Sequence, residues 1–504
     1  MAMIMTSARA TPTEVARVQL GIAALVLVGG CAVGPDFVRP VPPEGERYTH
    51  QPTAGSTVAA DGEAQHFEPG AQIAADWWHL FNSNQIDALV KEAIADNPSL
   101  QAAQASLRQS QENLRAGYGV FYPQFNATAG ATREKFSAAN FGQGPNSSIF
   151  NLYTLGATVS YALDVFGGDR RAVEGLSAQV DFQRYAALGT YLTLSGNIVN
   201  TLVARAAYAA ELHATEHIIT LQKDQVHIAR AQVDAGTAPY ATLLSVQSQL
   251  AITEATLPPL RQRFDQTGHL LAALSGHTPA ERAPPDIDLA DLTLPTDLPI
   301  SLPSALVRQR PDILAAEAQL HGASANIGVA TAAMFPRFTL SGSFGQLGNT
   351  GGNLLQSSSS VWSLGADVTA PLFHGGTLWH QRKAAMEAYQ AALASYRQSV
   401  LGGFEQVADA LRALEHDAEG VDAQSRALDA AGRALKLLQA NYGAGLASYL
   451  QVLVADQQYQ QASIGYLQAR TQRLQDTAAL FVALGGGWWN IDQDVLQKPH
   501  ETHP

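Results

Sequence analysis

Cys31 is the one cysteine among 504 residues, and its surroundings give it a chemistry. Arg9 and Arg17 precede an apolar run, Leu20 to Val28, followed by Gly29-Gly30-Cys31. A basic flank, a short apolar core and small residues before a cut make up a secretory signal. Val28-Gly29-Gly30-Cys31 also resembles a lipobox, in which the thiol is acylated and cleavage leaves Cys31 as the new N-terminus. The apolar run is about half the length a membrane-spanning helix needs. His213 and His217 stand four apart, the spacing of a helical metal pair, but no carboxylate motif or third ligand accompanies them. Asn146-Ser147-Ser148 matches a glycosylation sequon. The chain carries no P-loop, no HExxH and no G-x-S-x-G, so neither a catalytic constellation nor a cofactor cradle is expected.

Composition narrows the class further. Lys+Arg number 31 against Asp+Glu 44, a net charge of −13 that argues against nucleic acid as a partner. Charged residues are only 15%, below the roughly 25% usual for soluble domains. A single cysteine excludes an intrachain disulfide framework.

The body reads as one unit written twice. Pro98-Ser99-Leu100-Gln101-Ala102-Ala103 answers to Pro311-Asp312-Ile313-Leu314-Ala315-Ala316, and Tyr122-Pro123-Gln124-Phe125 to Phe335-Pro336-Arg337-Phe338. Val165-Phe166-Gly167-Gly168 recurs around Leu372 to Gly376, Ala235-Gly236-Thr237 as Ala444-Gly445-Leu446, and Ala273-Leu274-Ser275-Gly276 as Ala483-Leu484-Gly485-Gly486. The expected organisation is a signal over 1–30, a lipid-anchored segment and first helix over 31–96, and a first repeat over 97–276. A Pro-rich linker over 277–309, a second repeat over 310–489 and a polar tail over 490–504 complete it.

Each copy opens with a proline-started helix, Pro98 to about Phe121 and Pro311 to about Phe335. A hairpin follows, 123–164 and 336–373. Its strands, Gln124–Thr132 and Asn151–Leu163 in the first copy, set an apolar face with aromatics against small polar residues. The second copy repeats this with Phe338, Leu340 and Phe344, then Trp362 to Leu372. That alternation is the pattern of membrane-spanning β-strands. Arg133–Ser148 and Gly345–Ser360 read as exposed loops. Long helix hairpins come next, 168–275 and 375–484, rich in Ala, Leu and Gln; about 65 residues at 1.5 Å each reach near 100 Å. The chain should reverse at Ala235 to Pro239 and at Tyr442 to Gly445. Pro258-Pro259 should break the returning helix of the first copy alone. Four strands cannot close a barrel and lipid tolerates no open sheet edge, so several chains must share one.

These stretches together resemble the outer membrane factors of tripartite efflux pumps, in their lipoprotein branch. The resemblance is carried by Cys31-Ala32-Val33-Gly34-Pro35-Asp36-Phe37, Trp77-Trp78-His79-Leu80-Phe81, Arg310-Pro311-Asp312-Ile313, Phe335-Pro336-Arg337-Phe338 and Ala483 to Trp488. It implies an α+β membrane protein, a homotrimer with a twelve-stranded outer membrane β-barrel continuous with a periplasmic α-helical barrel. It also implies a passive duct without enzymatic activity or cofactor, acylated at Cys31 and held in outer membrane lipid, where Ala32 rather than Asp also directs it. A periplasmic adaptor and an inner-membrane RND-type transporter are the implied partners. Adaptor docking falls on Ala235, Gly236 and Thr237, and on Tyr442, Gly443, Ala444, Gly445 and Leu446. The periplasmic gate falls on Leu450, Gln451 and Val454, where Gln451 and Val454 replace the acidic residues common in relatives. A duct for secreted protein served by an ABC-type transporter would have the same fold, and a structural or adhesive periplasmic coiled coil is a remoter alternative.

Overall fold

Alternating side chains decide the sheet. The computed structural model describes residues 32–43, 45, 47–137 and 147–490. Strands β2 (Gln124–Ser137), β3 (Ser147–Leu163), β5 (Arg337–Gly348) and β6 (Ser360–Thr369) form one antiparallel sheet in the order β2-β3-β5-β6. The register aligns like with like. Phe125 faces Val159, Ala157 faces Phe344, Phe344 faces Trp362, and Phe338 faces Leu163 and Val368. On the other face Ser160 lies opposite Gln124 and Ser341, and the Ser343 and Ser363 hydroxyls meet at 2.7 Å. A slip of one residue in any strand would mix the two faces, so the pattern itself specifies the register. The apolar face stays exposed in the single chain, Phe125 at 78%, Trp362 at 72% and Leu364 at 80%.

The strands outrun their expected ends on one side and stop short on the other. Arg133 to Phe136, expected in a loop, continue β2 and pair with Asn151 to Ser148; β5 likewise runs on to Gly348. Exposed polar residues end no strand so long as a partner backbone continues beside them. The last strand, expected to reach Leu372, ends at Thr369, because Pro371 has no N–H to give the ladder. Residues 138–146, with Asn146 of the sequon, lie outside the described residues, as do the signal, Cys31 and the tail from 491.

The chain divides into two compact units. One comprises the described parts of Met1–Arg39, Arg108–Asp181 and Glu317–Ser395 and contains the four-stranded sheet. In it the N-terminal segment runs as a strap. The Val33 N–H donates to the Phe166 carbonyl at 2.9 Å, Arg171 bonds Asp36 at 2.6 Å, and the Phe37 ring stacks on His321 at 4.4 Å. Gly34, at φ +98°, lies against the backbone of Gly328: a Cβ on it would sit 2.5 Å from the Gly328 Cα. No side chain fits there.

The second unit comprises the described parts of Pro40–Leu107, Phe182–Ala316 and Tyr396–Pro504. Its core gathers Trp77, Trp78 and Phe81 from a 3₁₀ turn, Ile86, Leu89 and Val90 of α1 (Asn84–Asp96), and Ile198, Leu202 and Phe481 from longer helices. The Trp77 ring stacks on Phe481 at 5.4 Å between centroids. The segment 277–309, read from its prolines as a linker, is more ordered than that. It carries β4 (Asp297–Ile300), which pairs in parallel with β1 (His66–Pro69), and the short helix α6 (Pro303–Gln309). Four-residue strands, β1 with Phe67 alone buried and β4 with Leu298 and Ile300, leave too short a pattern to stand out in sequence.

Helices supply the rest. α2 (Pro98–Gly117) starts where the Asn97 side chain accepts from the Ser99 and Leu100 N–H groups, and it passes into a 3₁₀ turn over Tyr118–Phe121 rather than continuing to it. α7 (Pro311–Ala332) ends three residues before Phe335. α3 (Gly168–Asp234) and α8 (Thr377–Gly443) have 67 residues each. After α3 come α4 (Tyr240–Glu254) and α5 (Leu257–Leu274), separated where Pro258 and Pro259 occupy the first turn of α5; after α8 comes the unbroken α9 (Tyr449–Ala483). None of the helices described is long and apolar enough to cross a membrane.

Buried Arg310 closes the end of α9. Its guanidinium donates to the Ala483 carbonyl at 2.7 Å, to Gln406 at 2.9 Å and to both Asp312 oxygens. It thereby satisfies a carbonyl that the end of α9 leaves without an intrahelical partner. Further along, Asp417 of α8 and Asp476 of α9 face each other as like charges. Burial and then Asp476 push the Asp417 carboxyl up to about 7, against the pull of Arg473. An acid whose folded value is raised stabilises the fold fully below the ordinary carboxylate range, and that contribution is lost as pH rises through about 7. Thermal melts of the purified protein from pH 4 to 8 should therefore show the midpoint falling towards pH 8, and Asp417→Asn should flatten that fall.

Candidate functional site

The two reversals expected to carry function share one backbone solution. At the end of α3 the Gly236 N–H donates to the Val233 carbonyl and the Thr237 N–H to the Gln232 carbonyl, both at 2.9 Å. At the end of α8 the Gly445 N–H donates to Tyr442 at 3.0 Å and the Leu446 N–H to Asn441 at 2.8 Å. This is the Schellman arrangement, which requires a left-handed residue after the last helical turn. Gly236 and Gly445 supply it at φ +72° and +74°. Nothing lies within 4 Å of the position a Cβ would take on either, so both turns stand open to solvent.

Around the turns, Ala235, Gly236, Thr237, Gly443, Ala444, Gly445 and Leu446 are exposed, Leu446 at 79%. Tyr442 differs from them. It is half-buried, packs beside Leu435, Val452 and Ala455, and its hydroxyl donates to Gln232 of α3. Its ring meets Tyr449 edge-on at 5.7 Å, and Tyr449 packs against Ala229, Leu243 and Val246 of the first hairpin. The two hairpins are thus braced side by side just behind their turns, with Tyr442 as part of the brace.

The expected gate residues separate in the same way. Leu450 and Val454 are 67% and 44% exposed, one helical turn apart on α9. Gln451 has local work. Its Oε1 accepts from the Ser448 N–H at 2.8 Å while its own N–H donates to the Ser448 carbonyl at 3.1 Å, and a capping box starts α9. The sequence signal, Ser448 three residues before Gln451, was there to be read.

Sequence reasoning passed over a buried polar pair close by. Val452, Ala455, Asp456 and Tyr459 fall at i, i+3, i+4 and i+7, one face of α9, which places an acid on an apolar stripe. Asp456 is fully buried, and its Oδ2 accepts from Gln222 Nε2 of α3 at 2.7 Å. Burial raises its carboxyl above the usual range, opposed by the Gln222 hydrogen bond. His213 and His217 are both exposed on α3, and among the described residues no three His, Cys, Asp or Glu side chains gather as a metal site. The strap that begins at Ala32 lies against Gly167, the residue before α3, so the position next to Cys31 is held at a strand-to-helix junction.

Comparison with known proteins agrees with this architecture. The sequence profile of outer membrane efflux proteins matches residues 89–277 and 302–486. The pyoverdine export outer membrane protein OpmQ of Pseudomonas aeruginosa is 29% identical over 454 residues, 88% of this chain and 94% of its own length. Outer membrane protein OprJ of the same organism is 28% identical, over 93% and 96% of the two chains. The solved outer-membrane channel OprN superposes with a TM-score of 0.82 at 26% identity, covering 91% of this chain and all of its own.

The assignment of Gln451 to helix capping has a direct check. Gln451→Ala should cost the start of α9 about 1 kcal/mol, the usual value of a lost cap, seen as faster amide exchange in residues 449–454. Leu450→Ser, which touches no cap, should leave that exchange unchanged.

Proposed function

The chain belongs to the outer membrane efflux protein family, and from that premise we propose that it is the outer membrane duct of a tripartite, RND-type efflux system, passing small toxic compounds out of the cell. The observation that carries the reading is the four-stranded sheet with one continuous apolar face, one small polar face and two unpaired edges, β2 and β6. In hydrocarbon an unpaired edge is intolerable, whereas an apolar outer face and a polar lumen are what a β-barrel needs. Three copies joined β6 to β2 give a barrel of twelve strands. The Ser, Thr and Gly face then lines a water-filled passage.

The long helices of the three copies form the periplasmic tunnel. Two series of elements, helix, hairpin and 67-residue helix, begin at Pro98 and at Pro311 and support a tandem repeat. Acylated Cys31 anchors each chain, two or more acyl chains being enough for stable attachment. The open turns at Ala235–Thr237 and Gly443–Leu446 dock the periplasmic adaptor, with Tyr442 bracing them. Leu450 and Val454, apolar and uncovered within one chain, meet their copies at the axis as a hydrophobic constriction, and Gln451 shapes the helix start beneath it. No chemistry on cargo is involved; energy comes from the inner-membrane transporter.

Ala447→Cys, introduced beside the second turn, offers a thiol for a crosslinker in living cells once native Cys31 is acylated. Mass spectrometry of the product should identify a periplasmic adaptor encoded with a proton-driven transporter. An adaptor of an ABC-type exporter would move the reading to protein secretion, and no product from a well-expressed, membrane-located variant would overturn the docking assignment.

A further inference from the structure

Two oxygen atoms inside the helix pair behind the turns have nothing to bond to. Gln222 of α3 and Asp456 of α9 share one hydrogen bond, Nε2 to Oδ2 at 2.7 Å. The remaining oxygen of each, Gln222 Oε1 and Asp456 Oδ1, is buried and without a partner. Gln222 is 1% exposed and Asp456 0%, so water reaches neither readily. An unmet buried acceptor costs about 1–3 kcal/mol, more for a charged group. Native structures rarely keep two such atoms on one contacting pair without a reason.

A single proton removes both deficits. A carboxylic acid presents one O–H donor and one carbonyl acceptor; a primary amide presents one acceptor and an N–H donor. With the proton on Oδ1, the acid donates to Gln222 Oε1 while Gln222 Nε2 continues to donate to Oδ2. The two side chains then close a ring of two hydrogen bonds, and no buried charge remains. With the proton gone, one hydrogen bond is left, both lone oxygens are acceptors, and an ionised carboxylate sits in an apolar site.

We propose that Asp456 and Gln222 form a proton-dependent latch that ties α9 to α3 behind the helical turns, closed when Asp456 is protonated and weakened when it ionises. As regulation of the duct's periplasmic end, it rests on the assignment of the turns to the docking mouth; as a property of the fold it does not. The surroundings leave the proton as the deciding variable. Tyr449 of α9 lies near enough to feel the Asp456 charge, and Tyr442 of α8 meets Tyr449 edge-on; both are uncharged. On α3, Gln225 accepts from Tyr449, and on α4, Gln249 accepts from Gln457. Among the charges on these helices, Lys223 pairs with Glu254 at 3.4 Å and Arg433 with Asp429 at the surface. Burial raises the Asp456 carboxyl. The latch is accordingly complete below the ordinary carboxylate range and lost as pH rises through the raised value.

Amide hydrogen exchange of the full-length, acylated protein in detergent, followed by mass spectrometry from pH 5 to 8, reads the latch locally. After correction for intrinsic exchange, protection in residues 218–226 and 452–460 should fall by up to about tenfold per pH unit above the transition, the ceiling for one proton. Asp456→Asn keeps both hydrogen bonds as an amide pair and should be protected equally at every pH. Gln222→Glu places two acids together and should shift the transition to higher pH. A flat wild-type profile, or an Asp456→Asn profile as steep as the wild type, overturns the latch, and the wild-type series decides it even where a variant fails to assemble. Bilayer conductance of the same preparation separates the two readings: a latch that titrates in a protein that conducts no ions contradicts the duct and leaves the latch standing.

Discussion

A strand edge has N–H and C=O groups that must be paired wherever water cannot reach them, and this requirement governs the molecule more than any single side chain. The sheet β2-β3-β5-β6 satisfies its interior ladders and leaves two edges open. Its register collects Phe125, Val159, Phe344, Trp362 and Leu364 on one face and Ser, Thr and Gly on the other. Such a face would be a liability on a soluble monomer. It becomes a requirement once the sheet is part of a closed barrel in lipid. Oligomerisation, membrane location and the water-filled lumen then follow from the same constraint.

The helical part obeys the same accounting of backbone groups. The ends of α3 and α8 cap their own carbonyls through identical left-handed glycine turns, so neither needs a partner element to finish it, and both remain open at the surface. The end of α9 differs. Its last carbonyls are met by a Gly485 turn and by buried Arg310, which locks that end into a core built on Trp77 and Phe481. The end of α9 is therefore fixed in a large core, while behind the turns the packing is smaller, resting on the Tyr442–Tyr449 brace, two small apolar clusters and the Gln222–Asp456 hydrogen bond. Movement is cheapest where buried contacts are fewest, which is consistent with the docking role proposed for the turns.

Much of this was legible in the residues because it rests on period and punctuation. Two-residue alternation marked the strands, and glycine at the helix ends, with Pro239 after the first, marked Gly236 and Gly445 as reversals. Trp77-Trp78 and Arg310-Pro311-Asp312 stood out as stretches and proved to be core and lock. What escaped depends on distant partners. β1 and β4 are four residues each and gain their strand character only from each other. The β2–β3 hairpin extended into polar residues because pairing, not composition, continues a ladder. Gln451 was read for its neighbourhood and not for the capping box it forms with Ser448. Asp456 lay in plain view on an apolar helical stripe, but the meaning of a buried acid comes from Gln222, more than two hundred residues away.

If open edges β2 and β6 close through copies of the same chain, the mass of the assembled particle has to show it. Native mass spectrometry of the protein extracted from outer membranes in mild detergent should give three chains per particle, each carrying acyl mass at its N-terminus. A particle of one chain that still conducts ions would rule out closure between copies, since four strands cannot enclose a pore.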